Sequence, residues 1–437
     1  MKTLIGIRRE DKNIWEKRVP LIPSHVHEII RNHPIDIQLQ PSSQRIFKDE
    51  DYIASGANIK EDLSGCKVIF AVKEIPVQIF QKDKVYIFFS HTIKGQSYNI
   101  PMLKKMIELG CTLIDYEKIT NEQGQRLVFF GTQAGQAGMI DSLWVFGKRS
   151  EHEGITNPFS KLQQAFQYAS LTEVKEQIKA IGWNIHENGL DEKLVPLICG
   201  FTGYGKVSEG AQEIYDLLPV EDIAPENLAE FCQEKSFASN KVYKVVFKEE
   251  HLVEPVSAGD PFDLQEYYDD PQKFRSIFES YVPFLDIILN CIYWTHQYPR
   301  LVTKSFLANL WQKPVPPKLK VIGDISCDIE GSIECTEKAT EPDNPVYVYD
   351  PIKRSITDGW KGRGVIIMAV DTLPAEIPLE ASLFFSMSLK PFIPMIAKAD
   401  FSGNLKDCRL PPEIKRAVIL FRGELTPEFE YMNKYLS

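Results

Sequence analysis

Short runs of β-branched and aromatic residues, each bounded by polar breakers, set the pattern of the first 130 positions. Leu4–Ile7, Ile35–Leu39, Lys67–Val72, Lys84–Ser90, Thr112–Tyr116 and Arg126–Phe130 read as strands. Helical spacing falls between them. Val26, Ile29 and Ile30 follow Pro23-Ser24, with Ser24 as a candidate N-cap. Residues 50–56 read as a short helix, and Met102–Leu109 as another that stops at Gly110. Strands alternating with helices predict an α/β domain with a largely parallel sheet.

The pattern changes after residue 130. Gly131, Gly135 and Gly138 open a long helical region carrying Met139, Ile140, Leu143, Trp144 and Phe146, and Asn157–Ala180 reads as a second helix. Leu194–Cys199 is a short apolar strand, followed by a glycine-bearing loop and a helical stretch to Leu218. Residues 225–320 are aromatic-rich and irregular. Lys320–Ile325 and Gly364–Asp371 read as strands ending on aspartates, and the tail from 378 reads as helix-rich. The expected fold class is α/β: two Rossmann-like domains with a central cleft, the chain crossing back to the first domain at its C-terminus. The expected domains are 1–135 plus 378–437, carrying substrate chemistry, and 136–377, binding a dinucleotide.

Composition narrows the function classes. The chain has 437 residues and a formal charge of −10, and it contains no basic run or finger spacing, so nucleic acid is not an expected partner. Its longest apolar stretches, such as Val365–Val370, are too short to span a bilayer. Met1-Lys2-Thr3 leads directly into the first strand, leaving no room for a targeting segment, so a cytoplasmic address is expected. The eight cysteines form no C-x-x-C pair and read as reduced core residues. The eight histidines show no ligand spacing, so no metal is expected.

Two strand ends carry proton-transfer groups. Lys67–Val72 closes on Lys73 and Glu74, and Lys84–Ser90 closes on His91. In an open α/β sheet, ligands bind beyond the carboxyl ends of the strands, and neighbouring strands lie about 5 Å apart. Lys73 and His91 are therefore candidates for one acid/base pair. The plain alternative is a solvated strand-end lysine and a turn histidine. A second signal is the sequence Gly203-Tyr204-Gly205-Lys206-Val207-Ser208 between a strand and a helix, the context a dinucleotide fingerprint requires. Ser208 occupies the third glycine position. Glu221 and Asp222 fall where an acidic group would accept from a ribose 2′-hydroxyl, which favours NAD over NADP. Asp324 and Asp371 are candidates to line the same crevice.

Taken together these motifs resemble the lysine-forming saccharopine dehydrogenases, or lysine–2-oxoglutarate reductases. The family is often found as the N-terminal half of bifunctional aminoadipic semialdehyde synthase. It belongs to the alanine dehydrogenase/transhydrogenase fold group. The resemblance is carried by Ile5–Pro23, by Phe89-Ser90-His91-Thr92-Ile93-Lys94, by Leu113–Lys118, and by Ala134–Ile140. It continues through Phe201–Gln212, Ile292-Tyr293-Trp294, Pro299-Arg300-Leu301, Asp324–Ser326, Gly331–Glu334 and Leu373–Pro378. It implies Lys73 and His91 as acid/base residues with Glu117 beside them. It implies Arg18, Glu74, Lys94, Arg126 and Asp371 at the substrates, and Gly203, Gly205, Lys206, Val207, Ser208, Glu221, Asp222, Asp324 and Asp371 at the cofactor. Thr132-Gln133 and Cys291 depart from the family pattern.

The implied reaction condenses L-lysine with 2-oxoglutarate and reduces the imine to saccharopine, with NADP as the expected cofactor and NAD as the alternative. The chain stops where bifunctional relatives continue, so a single activity is expected; an oligomer is possible. Another opine or amino-acid dehydrogenase of the same fold group, or a nucleotide-binding homologue without catalysis, are the competing readings.

Overall fold

A computed structural model describes residues 2–234, 236–257 and 259–436. It divides into two compact units, residues 1–130 with 378–437 and residues 131–377. The architecture is Rossmann-like α/β, with a mainly parallel eight-stranded sheet in each unit.

In the first unit the strands lie side by side in the order Glu424–Leu425, Val418–Phe421, Thr112–Asp115, Val85–Phe88, Val68–Phe70, Thr3–Ile7, Ile35–Leu39 and Asn58–Ile59. All neighbours are parallel except the two C-terminal strands at one edge. The inner strands are continuous apolar runs because both faces are covered: every residue of Val68–Phe70 and Val85–Phe88 is buried. The tail therefore contributes strands as well as helices. Pro412–Lys415 is a single helical turn, and Val418–Phe421 then pairs with Thr112–Asp115.

Local chemistry overrides three sequence expectations. Arg126–Phe130 forms no strand, only an isolated bridge from Arg126 to Thr120. The chain turns instead at Asn121, whose side chain accepts the N–H groups of Gln123 and Gln125 at 3.0 and 2.9 Å. Ser24 caps nothing: the helix starts at Pro23, whose fixed φ and missing N–H suit the first helical position. In the second unit, Asn157–Ala180 breaks into two single turns, and the helix begins at Leu171, capped by Ser170.

The second unit's sheet runs Ser355–Asp358, Val346–Asp350, Val365–Met368, Val321–Asp324, Ile287–Asn290, Ile198–Thr202, Val242–Phe247 and Val220–Asp222. The strand expected at Leu194–Cys199 starts later and reaches Thr202, because the buried Asp286 carboxylate accepts the Ile198 N–H at 2.7 Å and anchors the strand start. Helix Gly131–His152 is buried almost all round and lies on helix Lys206–Tyr215. Their backbones touch. A Cβ on Gly135 would fall inside the Val207 carbonyl, and one on Gly210 inside the Thr132 carbonyl.

This unit also buries two carboxyl groups together. Asp141, on helix Gly131–His152, and Glu376, just after the turn Leu373–Ala375, are 0% and 2% exposed. Asp141 Oδ1 accepts the Ala165 N–H at 2.8 Å, and the Glu376 carboxyl accepts the Phe166 N–H. The two side chains hydrogen-bond to each other, which requires a proton between them.

Candidate active site

In the first unit, three neighbouring strand ends build a polar cluster. Phe70 lies opposite Ile87, and the pairing continues past the strands through Ala71 N–H to Ile87 O and Phe89 N–H to Val72 O, each 3.0 Å. This brings Lys73-Glu74 alongside Ser90-His91. His91 sits in the left-handed region (φ 47°), an uncommon conformation outside glycine. It is held there by Asn99, whose amide donates to Ser90 O at 3.0 Å and to His91 O at 3.3 Å.

Glu74 proves to be the partner of His91. Its Oε1 accepts from His91 Nδ1 at 2.6 Å, and its Oε2 accepts from Lys12 Nζ at 2.7 Å. Burial alone would raise the Glu74 carboxyl, but the bond and charge of His91 and the contact with Lys12 outweigh it, holding the group well below the usual carboxylate range. A permanent carboxylate on Nδ1 fixes the imidazole tautomer and leaves Nε2 to exchange a proton. Burial first, and the Arg18 charge second, lower the Lys73 ammonium, with Glu16 and Glu74 opposing.

The arginines divide. Arg18 is 2% exposed, and its Nε and Nη2 edge is taken by Glu16 at 2.8 and 2.5 Å, while its guanidinium lies 4.3 Å from the Phe130 ring centroid. Arg126 is half-exposed and meets Glu117 at 2.7 Å. Glu117 is joined to the cluster through Asp115, whose buried carboxylate accepts the Glu117 N–H at 2.8 Å, the Ser90 N–H at 3.0 Å and the Ser90 hydroxyl. Burial pushes the Asp115 carboxyl up to about 6. Lys94 lies on the exposed loop that follows His91, its N–H donating to Gln96 at 3.2 Å.

In the second unit, strand Ile198–Thr202 ends at Gly203 (φ 81°), and Gly205 caps helix Lys206–Tyr215. The helix presents free N–H groups and a partial positive charge at its start, and a Cβ on Gly205 would meet only open space. Ser208 is buried and bonded to Gln212 at 2.9 Å. The close helix approach expected of the third fingerprint glycine is made two residues later, by Gly210. Lys206 points to Glu209 at 2.7 Å, and Val207 contributes its carbonyl to the contact with Gly135.

A cavity of about 320 Å³ opens beside Gly203 and Gly205, walled by Tyr267, Tyr268, Ile292 and Glu249. Glu249 Oε1 accepts from the Tyr268 hydroxyl at 2.7 Å, while Oε2 is buried with no partner. An unpaired buried carboxylate oxygen next to a glycine loop suits a hydroxyl donor, so these residues fit a dinucleotide with its ribose at Glu249. Glu221 and Asp222 do not reach this cavity. Strand Val242–Phe247 inserts between theirs and the glycine-loop strand, leaving them at the sheet edge, paired with Lys241 and Lys244. Asp324 is likewise turned inward: Asn290 donates to its Oδ1 at 2.8 Å and Thr336 to its Oδ2 at 2.6 Å. Asp371 is exposed, three residues past strand Val365–Met368.

Lys12, Glu16, Asp115, Asn99 and Glu249 were not singled out from the sequence. Ion pairs spanning 62 positions, such as Lys12–Glu74, leave no local pattern to read. Glu249 could be found only by knowing which strand lies next to Ile198–Thr202.

Residues 6–137 match the alanine dehydrogenase/PNT N-terminal domain. The chain is 37% identical to alpha-aminoadipic semialdehyde synthase of Arabidopsis thaliana, over 98% of its own length and 41% of that protein. It is 25% identical to saccharopine dehydrogenase [NAD(+), L-lysine-forming] of Emericella nidulans, over 89% of its own length and 90% of that protein. The solved structure of an L-alanine dehydrogenase superimposes with a TM-score of 0.62 at 17% identity, covering 99% of this chain and all of that one. The chain thus spans less than half the length of its Arabidopsis relative. The resemblance drawn from the motifs is borne out, and so is the fold. Among the described residues no helix is long and apolar enough to cross a membrane.

Proposed function

Starting from a similarity to lysine-pathway dehydrogenases that runs the length of the chain, we propose that this protein catalyses the reductive condensation of L-lysine with 2-oxoglutarate to saccharopine. The observation that carries the reading is the Lys12–Glu74–His91 chain beside a half-buried lysine with lowered proton affinity. Attack on the ketone needs the lysine substrate's ε-amine without its extra proton, and loss of water from the carbinolamine needs an acid. Lys73, held below its ordinary range by burial and Arg18, is suited to take the first proton. His91, oriented by Glu74 through Nδ1, is suited to deliver the second from Nε2. A nicotinamide cofactor supplies the hydride.

The surroundings assign further roles. Arg126 is the arginine with open surface, and its planar fork suits a substrate carboxylate. Arg18, closed against Glu16, acts through its charge on Lys73. Glu74 serves His91 rather than a substrate. For the cofactor, the glycine loop and the Glu249 oxygen favour NADH over NADPH, because a carboxylate at the ribose repels a 2′-phosphate. This departs from the NADP expected from the resemblance.

The test is direct. Purified protein is assayed for NADH and NADPH oxidation with lysine plus 2-oxoglutarate, and in parallel with ammonia plus pyruvate. Turnover with the first pair and not the second supports the reading. Turnover only with the second moves the protein to the amino-acid dehydrogenases, and turnover with neither overturns catalysis at this site.

A further inference from the structure

The peptide that carries Lys73 is held by a carboxylate from another part of the chain. Glu10 follows strand Thr3–Ile7, which runs parallel to Val68–Phe70 with Ile7 opposite Phe70. The ladder ends with Arg8 N–H donating to Phe70 O at 2.8 Å. Ala71 N–H still pairs with Ile87 O, but the two amides beyond it, those of Val72 and Lys73, meet no backbone acceptor. Glu10 takes their place: Oε1 accepts the Val72 N–H at 2.6 Å and Oε2 accepts the Lys73 N–H at 3.0 Å. The side chain is buried, at 8% exposure.

We propose that Glu10 is a positioning residue, whose two-point grip on consecutive amides fixes where the Lys73 side chain leaves the backbone and so where its nitrogen stands. The inference rests on Lys73 having the role proposed above. It adds a control that the acid/base pair alone does not provide. A carboxylate accepts both N–H groups. A carboxylic acid carries its proton on one oxygen, and that oxygen no longer accepts in the same geometry. Protonating Glu10 therefore releases one of the two amides.

That event falls in the working range. Burial, and next the charge of Glu16, push the Glu10 carboxyl up to about 7, while the two amide bonds and Arg8 pull it down. The other groups that sense it are the buried Tyr116 hydroxyl and, along the same peptide, Lys73. Arg8 is itself committed to Arg9 O at 2.7 Å and Asp11 at 2.5 Å, so it offers Glu10 charge rather than a bond. The two-amide grip is therefore strongest above neutrality and weakens as pH falls below it.

Two measurements test this. Glu10→Gln cannot titrate and has one acceptor oxygen for two amides. Its kcat should fall about tenfold, with KM for NADH within about twofold of wild type. The drop in kcat between pH 8 and 6 should be several-fold shallower than in wild type. A variant pH profile that overlays the wild-type one would overturn the proposal, because a merely structural carboxyl would leave it unchanged. The second measurement uses the unaltered protein and needs no substrate. Hydrogen exchange at the Val72 and Lys73 amides, corrected for the intrinsic rate, should lose protection several-fold as pH falls from 8 to 6. Constant protection would overturn the grip whatever the reaction turns out to be. Loss of protection in a protein inactive with lysine and 2-oxoglutarate would keep the grip and sink only the functional reading.

Discussion

Glu376→Gln should make the second unit more resistant to unfolding at alkaline pH and leave it nearly unchanged at acid pH. In the wild type, burial pushes both carboxyls of the Asp141–Glu376 pair up, Glu376 further because the Asp141 charge adds to it. No cation contributes on either side. A carboxyl whose folded proton affinity exceeds the unfolded one stabilises the fold at low pH. That contribution is lost as pH rises through the folded value. At pH 8 the wild type must either retain a proton against solution or bury two charges, at a cost on the order of 2 kcal/mol. Glutamine keeps the shape, cannot ionise, and offers its amide N–H to Asp141. The gain corresponds to about 1 M in urea midpoint, for a denaturant slope of about 2–3 kcal/mol/M. The assay is tryptophan fluorescence in urea at pH 5 and pH 8. Of the six tryptophans only Trp15 lies outside the second unit, so the signal reports mainly on it. If the wild type and the variant lost equal stability between the two pH values, the shared proton would not exist.

Three further outcomes follow from the candidate site. Lys73→Met and His91→Gln should each lower kcat by about 10²–10⁴, and the double variant should lose less than the product of the two; near-normal turnover in either single variant would dissolve the pair. Arg126→Met should raise KM for an acid substrate and leave KM for NADH unchanged, so a change confined to NADH would remove it from the substrate site. Glu249→Gln should shrink the preference for NADH over NADPH while Glu221→Gln leaves it intact, and the reverse result would return the ribose contact to the sheet edge.

The strands bearing Lys73 and His91 were legible because they are buried on both faces and contain only apolar residues, a signal that survives any tertiary context. The position of both groups just past a strand end followed. What they touch did not. Glu74 read as a substrate group because nothing near it in sequence announces Lys12 or fixes the His91 backbone. Arg18 was expected at a substrate carboxylate, yet Glu16, only two positions away, closes its edge at 2.5 Å. The glycine loop was legible as strand, loop and helix. The ribose partner proposed for it was not, because strand order is a long-range property: Val242–Phe247 inserts beside the loop strand and sends Glu221 outward. The strand Val418–Phe421 was not separated from the helix-rich tail because a short apolar run does not declare its period.

The packing of Gly135 on Val207 and of Gly210 on Thr132 constrains how this protein can change over generations. The helix that would face a pyrophosphate rests its main chain on another main chain, so any side chain at either position lifts its N-terminal amides away from their place. Drift there is closed to every residue larger than glycine, whichever cofactor is used. The cavity wall is not bound in this way. Glu249 and Tyr268 sit on two short helices, Glu249–Leu252 and Leu264–Asp269, and hydrogen-bond to each other and to Tyr204. A lineage moving between the two reduced cofactors would thus be expected to rewrite that wall many times and these two glycines never, and a laboratory selection for altered cofactor use should retrace the same division.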